Sequence, residues 1–271
     1  MIKRFIKELY LFNSLLITKR NLIWSMAKRD IATQYIGSFL GFVWTFIDPI
    51  VTVFIFWVVF GLGFKVRPCK EAPFVVWLTA GMAIWMVFSK ILNESSNIII
   101  VNSNLIKNTL FHSHILPIVK IISNLIIHFI FITILLVLLY LNKMPFNIYF
   151  LQALYYLLAM CFLSLGLCWL TSALSPFIRD IPQIVKVIVD LGFWATPVMW
   201  ELSIMPPKLQ SIFRINPIYY LVQGYRESFL YFTPFWHHPR QTLEYWTVTL
   251  IILFLGAILF KRLKPHFADV L

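Results

Sequence analysis

The chain has 271 residues, of which 60% are hydrophobic and only 13% are charged, and its formal net charge is +12 at pH 7. About a quarter of the residues in a soluble globular protein are charged, so the composition excludes a soluble domain and predicts an integral membrane protein. Membrane proteins carry excess lysine and arginine in their cytoplasmic loops. No stretch interleaves basic and aromatic residues outside the apolar runs, so we expect no nucleic-acid partner.

The first predicted element is an amphipathic interface helix over residues 20–36. Its apolar residues recur every four positions, whereas Lys28, Arg29 and Asp30 lie off the apolar stripe. This pattern is typical of a helix that lies in the membrane interface. Residues 1–20 lack a small-residue cleavage site, so we expect a retained, cytoplasmic N-terminus. The helix either anchors the chain only or also contacts a cytoplasmic partner.

Six stretches are apolar and long enough to cross a bilayer, which takes about 20 helical residues. They are residues 39–63, 74–96, 116–141, 148–174, 184–203 and 242–260. With the N-terminus inside, most of the 23 lysines and arginines fall on the cytoplasmic side, as the positive-inside rule requires. We therefore predict a single all-α integral membrane domain over residues 1–271, with both termini in the cytoplasm.

Charged residues are few within these stretches. Asp48 precedes a proline, which removes a backbone donor, so the pair predicts a break or kink with the carboxylate facing the bundle or an aqueous path. A purely structural kink is the alternative. Lys90 and Glu94, and likewise Lys186 and Asp190, are four residues apart and can neutralise each other on one helical face.

The loop between the second and third spans contains the stretch VNSNLIKN. Its Asn and Ser residues can cap a short helix, which would dock into a groove on another protein. The apolar side chains offered to that groove are Leu105, Ile106 and Leu110. A solvated connector is the alternative.

The outer segment over residues 201–241 contains proline breaks and the aromatic stretch IYYLVQGYRESFLYF. Arg226 and Glu227 make this stretch too polar for a full span. We interpret the segment as short helices that re-enter the membrane or lie at its interface, since such backbone is tolerated where it is buried against protein. An aromatic belt at the outer interface is the alternative.

Motifs for catalysis and metal binding are missing from the sequence. No glycine is followed by lysine, and neither HExxH nor GxSxG occurs, so the chain lacks a phosphate loop and the zinc-protease and serine-hydrolase signatures. His112 and His114, like His237 and His238, have no Cys or carboxylate neighbours at ligand spacing. We expect no enzymatic activity, no cofactor and no metal site in this chain.

Three stretches, YIGSFLGFVWTFIDPIV, RDIPQIVKVIVDLGFWATPVMW and INPIYYLVQGYRESFL, occur in this order. Together they resemble signature segments of ABC-2 type permeases. The matching residues are Tyr35, Ser38, Leu40, Gly41, Trp44, Pro49, Arg179, Asp180, Ile181, Thr196, Pro197, Val198, Asn216, Pro217 and Arg226. The inner loop is also similar, from Gly81 and Trp85 through Asn104, Leu105 and Ile106 to Leu116 and Pro117.

Compact six-span permeases of this kind, without a fused ATPase, resemble exporters of lipid-linked polysaccharide (O-antigen, capsule or teichoic acid) in the bacterial inner membrane. The resemblance implies a homodimer of this chain with two copies of a separate ABC ATPase, which would bind ATP and Mg. It also implies a coupling helix around residues 101–112 and outer gate helices within residues 201–235. The alternatives are a permease for a drug or small lipid-like molecule, an ion-coupled carrier, and a lipid-linked sugar transferase.

Candidate site residues fall into three groups. Those expected to contact the ATPase are Lys28, Arg29, Asn104, Leu105, Ile106, Lys107 and Asn108. Those expected to line the conduit, where aromatic faces can stack on the C–H surfaces of sugar rings, are Trp44, Phe46, Asp48, Trp57, Phe193, Trp194 and Trp200. Those expected at the outer gate are Tyr219, Tyr220, Tyr225, Arg226 and Phe229.

Overall fold

The computed structural model describes residues 17–34, 37–66, 72–108 and 112–271. Over these residues every regular element is helical, which confirms the all-α prediction. In chain order the helices are α1 (Arg20–Thr33), α2 (Trp44–Phe56), α3 (Phe74–Ser96), α4 (Ile98–Val101), α5 (Ser103–Asn108), α6 (Leu116–Leu141), α7 (Gln152–Leu174), α8 (Ile181–Ala195), α9 (Pro207–Arg214), α10 (Pro217–Arg226), α11 (Pro239–Leu263) and α12 (Phe267–Val270). The predicted interface helix is α1, and Tyr35 on its apolar stripe lies outside the described residues.

Within the described ranges, five helical segments are long and apolar enough to cross a membrane. Short 3-10 turns precede α2, α6 and α7, and a π-helical turn over Trp57–Gly63 extends α2. The segments are Gly41–Gly63, Phe74–Ser96, Ser113–Leu141, Ile148–Leu174 and Pro239–Val270. They coincide with five of the six predicted spans, although the last segment ends ten residues beyond the predicted 242–260. The chain is a multi-pass membrane protein.

The helix of the remaining predicted span is shorter than residues 184–203, because α8 ends at Ala195. Thr196 is extended, with φ −96° and ψ 131°, as expected for a residue before proline. Pro197 has no N–H with which to continue the helix. The 15 residues of α8 extend over about 22 Å at about 1.5 Å per residue. This is less than the hydrocarbon core of a bilayer, which is about 30 Å thick.

Pro49 does not break α2, so the predicted helix break at this position is wrong. The helix continues through the proline, whose ring is buried, and the proline removes the hydrogen bond that an N–H at this position would donate to the carbonyl of Thr45. The side chain of Asp48 lies on the exposed side of α2. The carboxylate therefore does not face the interior of this chain.

The centre of the bundle is α3. In its most apolar stretch 78% of the residues are buried, whereas the value for the segment containing α2 is 11%. α3 packs against α6, α7, α8 and α10, and the largest buried cluster joins side chains from these helices. The second span is thus surrounded by protein, and the first lies at the edge of the bundle.

α7 and α11 pack closely around two glycines. A Cβ on Gly166 would lie 2.7 Å from backbone atoms of Leu253, and a Cβ on Gly256 would overlap the carbonyl oxygen of Gly166. Small residues at such a crossing let two backbones approach and gain van der Waals contact, which is a main attraction between helices in lipid. These glycines therefore set the distance between the fourth and last predicted spans.

We expect Gly166→Ala and Gly256→Ala each to force α7 and α11 apart. Overpacking of this kind lowers the free energy of unfolding by about 1–3 kcal/mol, which should appear as a lower thermal unfolding midpoint in detergent. Gly63→Ala is the matched control, because a Cβ there meets only a carbonyl oxygen at 3.6 Å. An unchanged midpoint for both crossing variants would contradict this packing.

Candidate functional site

The end of the bundle that is predicted to face the cytoplasm, called here the inner end, carries α1. The apolar face of α1 packs on the start of α6. Ile23 and Ala27 are buried in one cluster with Ile115 and Val119. On the other face Lys28 and Arg29 are exposed, and the Lys28 ammonium lies 5.3 Å from the centre of the Trp24 ring. Both basic side chains are thus placed where a second protein can contact them.

The predicted coupling helix is α5, but its two described apolar side chains, Leu105 and Ile106, do not project into solvent. Ile106 packs against a buried cluster that includes Ile99 and Phe267, and Leu105 is half-buried. Burial of apolar side chains away from water is favourable, and here they are buried against other residues of the same chain. Asn104 and Lys107 are exposed, so the described outer face of α5 is polar. The side chains of Asn108 and Leu110 lie outside the described residues.

The C-terminal segment supports α5, which the sequence analysis missed. Phe267 is fully buried, and its ring contacts Phe260 at 5.5 Å and Phe177 at 6.2 Å between centroids. α12 packs against α5. In the sequence, the apolar Phe267 among the basic and polar residues of the tail could have indicated that this segment packs against the protein.

A polar network joins the inner ends of α1, α3 and α6. Lys120 Nζ lies 2.6 Å from Asp30 Oδ1 and 3.2 Å from Glu94 Oε2. Lys90, predicted to pair with Glu94, lies 3.8 Å from Glu94 Oε1 and donates to Gln34 Oε1 at 3.3 Å. The sequence predicted the pair within α3 but not the links to the other two helices.

The second predicted pair, Lys186 with Asp190, does not form. Both side chains are exposed on α8, and the ion pairs between described residues do not include them. An ion pair between exposed side chains gains little electrostatic energy, and forming it costs side-chain conformational entropy.

His112 lies in the inner loop beside two basic side chains. Partial burial, followed by the ammonium groups of Lys264 and Lys19, lowers the pKa of His112, so its neutral form is favoured. The ring lies 5.7 Å from that of His114. Within the described part of the chain, no group of three or more His, Cys, Asp or Glu side chains could hold a metal ion.

Four of the seven predicted conduit residues are exposed on the adjoining helices α2 and α8. Trp44, Phe46 and Asp48 are exposed on α2, and Trp194 is exposed on α8. The helices meet where the rings of Phe56 and Phe193 lie 6.0 Å apart.

Three other predicted conduit residues are partly covered. Trp57, Phe193 and Trp200 are half-buried. Phe193 contacts the ring of Trp85 at 5.8 Å, and Trp200 Nε1 donates to the carbonyl of Trp194 at 3.1 Å. The exposed aromatic surface is therefore narrower than the predicted set.

The predicted gate residues are inside the bundle rather than at an exposed mouth. α10 is surrounded by α3, α7 and α11, and the buried side chains are Tyr219, Tyr220, Tyr225, Arg226 and Phe229. Tyr220 OH lies 3.0 Å from both Tyr155 OH and Thr242 Oγ1. Their role at a gate stays a prediction, and in this conformation they hold α10 in place.

Tyr225 links α10 to two further helices through His128. The Nδ1 atom of His128 lies 3.3 Å from the carbonyl oxygen of Ala83. Because a carbonyl only accepts, Nδ1 carries the proton of a neutral ring, and Nε2 accepts from Tyr225 OH at 3.2 Å. The buried polar atoms of this histidine are thereby satisfied within the chain.

Arg226 fastens the turn that follows α8. Its guanidinium donates to the carbonyls of Pro197 at 2.8 Å and Val198 at 2.7 Å, and lies 3.4 Å from the centre of the Trp77 ring. Gly81 makes room, since a Cβ there would lie 2.9 Å from Nη2 of the arginine. One buried cation therefore joins α10, α3 and the end of α8.

These features define a membrane-embedded helical domain with a basic and polar inner surface. The family model for the ABC-2 type transporter matches residues 21–230, which is well over half of the chain, and the chain belongs to this family. The family resemblance of the sequence motifs is therefore confirmed.

Several relatives align over nearly the whole chain. The O-antigen export system permease protein RfbA of Myxococcus xanthus is 26% identical over 269 residues, 98% of each chain. The protein of the same name from Klebsiella pneumoniae is 23% identical over 97% of this chain and 96% of its own length. The polysialic acid transport protein KpsM of Escherichia coli is 23% identical over 86% of this chain and 90% of its own length.

We expect Arg226→Met to destabilise the fold, because it leaves the carbonyls of Pro197 and Val198 without their donors. Buried groups left without partners cost about 1–3 kcal/mol each, so the thermal unfolding midpoint in detergent should fall clearly. Arg214→Met, at an exposed position on α9, should leave the midpoint unchanged. Equal midpoints for the two variants would show that the buried guanidinium does not hold this turn.

Proposed function

We propose that this chain is the membrane-spanning permease subunit of an ATP-driven exporter that moves lipid-linked polysaccharide across the bacterial inner membrane. The observation that carries the proposal is the alignment with two O-antigen export permeases over nearly the full length of both chains. The transported molecule would be a glycan on a lipid carrier. Both termini would lie in the cytoplasm.

Six crossings are part of this proposal. The short α8 would cross the membrane together with the non-helical segment that runs from Thr196 to Trp200. One exposed stripe of α8 is apolar and carries Ile184, Ile188, Leu191 and Trp194, which supports a position in lipid or against another copy. Lys186 and Asp190 are exposed beside this stripe. An even number of crossings places both ends of the chain on one side.

A second copy of the chain would cover the faces of α2 and α8. These two helices adjoin at the edge of the bundle, and the first span is far less buried than the second. Most oligomers of identical chains are symmetric, so the two copies would present the same helices to each other. The pathway would then lie between them, with Trp44, Phe46, Asp48 and Trp194 facing it.

The energy would come from a separate ABC ATPase, in two copies, that binds ATP and Mg. This chain lacks a phosphate loop, and its described inner surface offers exposed polar side chains to a partner. Those side chains are Lys28 and Arg29 on α1 and Asn104 and Lys107 on α5. The buried aromatic residues of α10 would form the outer gate after a movement that separates α10 from its neighbours.

The deciding experiment purifies the tagged chain from membranes and reconstitutes it with the ATPase that co-purifies. We expect ATP-dependent movement of lipid-linked glycan, and loss of surface polysaccharide when the chain is deleted. ATPase stimulation by small amphiphiles with intact surface polysaccharide would indicate a permease for small lipid-like molecules instead. Transport at full rate by the chain alone would contradict an ATP-driven exporter.

For the pathway, we expect Trp44→Ala and Trp194→Ala each to lower glycan export while the ATPase still co-purifies. An aromatic contact is worth about 0.5–1.5 kcal/mol beyond its buried area, so export should fall roughly twofold to tenfold. Phe254→Ala is the matched control, because this ring is exposed on α11, which packs against α7 and α10. Equal export by all three variants would remove α2 and α8 from the pathway.

A further inference from the structure

We propose that Lys120 is a positioning residue that transmits displacement of α1 to α3, the central helix of the bundle. The inference rests on the proposed function, because it requires an ATPase that acts on the inner surface. Lys120 lies on α6, and its ammonium group contacts a carboxylate on α1 and another on α3. A single side chain thereby connects the interface helix to the second span.

The apolar contacts of α1 do not supply this connection. Ile23 and Ala27 pack on α6, and apolar contact is non-directional, so it fixes the orientation of α1 on α6 less strictly than directional bonds do. Between α1 and the inner ends of α3 and α6 there is a cavity of about 560 Å³. Asp30, Glu94 and Lys120 lie in its lining, so the ion pairs connect the helices where close packing is interrupted.

The geometry of the network is fixed from both ends. Ser123 Oγ donates to Asp30 Oδ2 at 2.7 Å, and Asn124 Nδ2 donates to Glu94 Oε2 at 2.9 Å. Both donors are on α6 beside Lys120, so each carboxylate accepts from two side chains of the same helix. Hydrogen bonds to charged groups are directional and stronger than neutral ones, which makes this link stiffer than the apolar contact.

The network is also partly shielded from water. The side chains of Lys120, Asp30 and Glu94 are 16%, 20% and 25% exposed, whereas those of the outer pair Arg240 and Glu244 are 90% and 49% exposed. Screening by solvent is weaker at the inner site. Without Lys120, Asp30 would lose this ion pair and Glu94 would retain its longer ion pair with Lys90 at 3.8 Å, so the charged link between α1 and α3 would be lost.

The experiment measures glycan exported per ATP hydrolysed by the reconstituted complex of chain and ATPase. For Lys120→Met we expect ATP hydrolysis and ATPase co-purification to persist, while export per ATP falls about fivefold to tenfold, within the range of mutations that alter coupling between sites. Lys120→Arg keeps a cation that can contact both carboxylates and should restore export. Arg240→Gln should match the wild-type chain.

Asp30→Asn provides a second variant, since it releases α1 but leaves the pair of Lys120 and Glu94 inside the bundle. It should lower export per ATP to the same extent, and the double variant with Lys120→Met should lose no more than either single variant. Wild-type export per ATP in Asp30→Asn would overturn the proposal even if Lys120→Met failed to fold. Failure of the wild-type complex to export glycan would instead refute the proposed function.

A distance measurement tests the same link without any cargo. In a background without native cysteines, spin labels at Ser25→Cys and Val101→Cys, both exposed, report the separation of α1 from the segment that follows α3. We expect the distance distribution to broaden in Lys120→Met and in Asp30→Asn but not in Arg240→Gln. Unchanged distributions in the two network variants would overturn the role given to Lys120.

Discussion

A polar group inside a bilayer has to find its partner within the protein, because lipid tails offer none. The contacts of Arg226 follow from this constraint. Its guanidinium donates to two carbonyls in the turn after α8 and lies against the face of Trp77. That turn begins where Pro197 ends the helix, so the arginine satisfies carbonyls that have left the helical pattern. This one side chain therefore connects α10 with α3 and with the end of α8.

The helices differ in how much of their surface is buried within the chain. α3, α6, α7, α10 and α11 enclose the buried histidine, tyrosines and arginine, and close approach at Gly166 and Gly256 tightens the contact between α7 and α11. α2 and α8 carry their aromatic and charged residues outward instead. A second copy and a passing glycan are the proposed neighbours of that open face.

On the side predicted to face the cytoplasm, elements distant in the sequence form one surface. α1 packs on the start of α6, α5 packs on a cluster completed by Phe267, and Lys120 joins α1 to α3. The apolar residues of α5 face inward, so a partner would meet mainly its polar residues. In the proposed coupling, displacement of α1 would reach α3 through these charged side chains.

The sequence alone determined the all-helical membrane class, the helix near the N-terminus and five long helices, because hydropathy and helical periodicity are local properties of the chain. It also identified the pair of Lys90 and Glu94 within α3, since residues four apart on a helix are neighbours. The end of α8 could have been anticipated from Pro197, but the apolar run beyond it favoured a longer helix.

Only the tertiary structure decided which apolar side chains face protein and which face outward. Lipid tails are as apolar as leucine, so Ile106 and the aromatic residues of α10 carry no signal in the sequence that distinguishes the two environments. Asp30 and Lys120 are likewise 90 positions apart, and their contact exists only because α1 packs across α6. Periodicity defines the faces of a helix, whereas the partner of each face depends on how the helices are arranged in space.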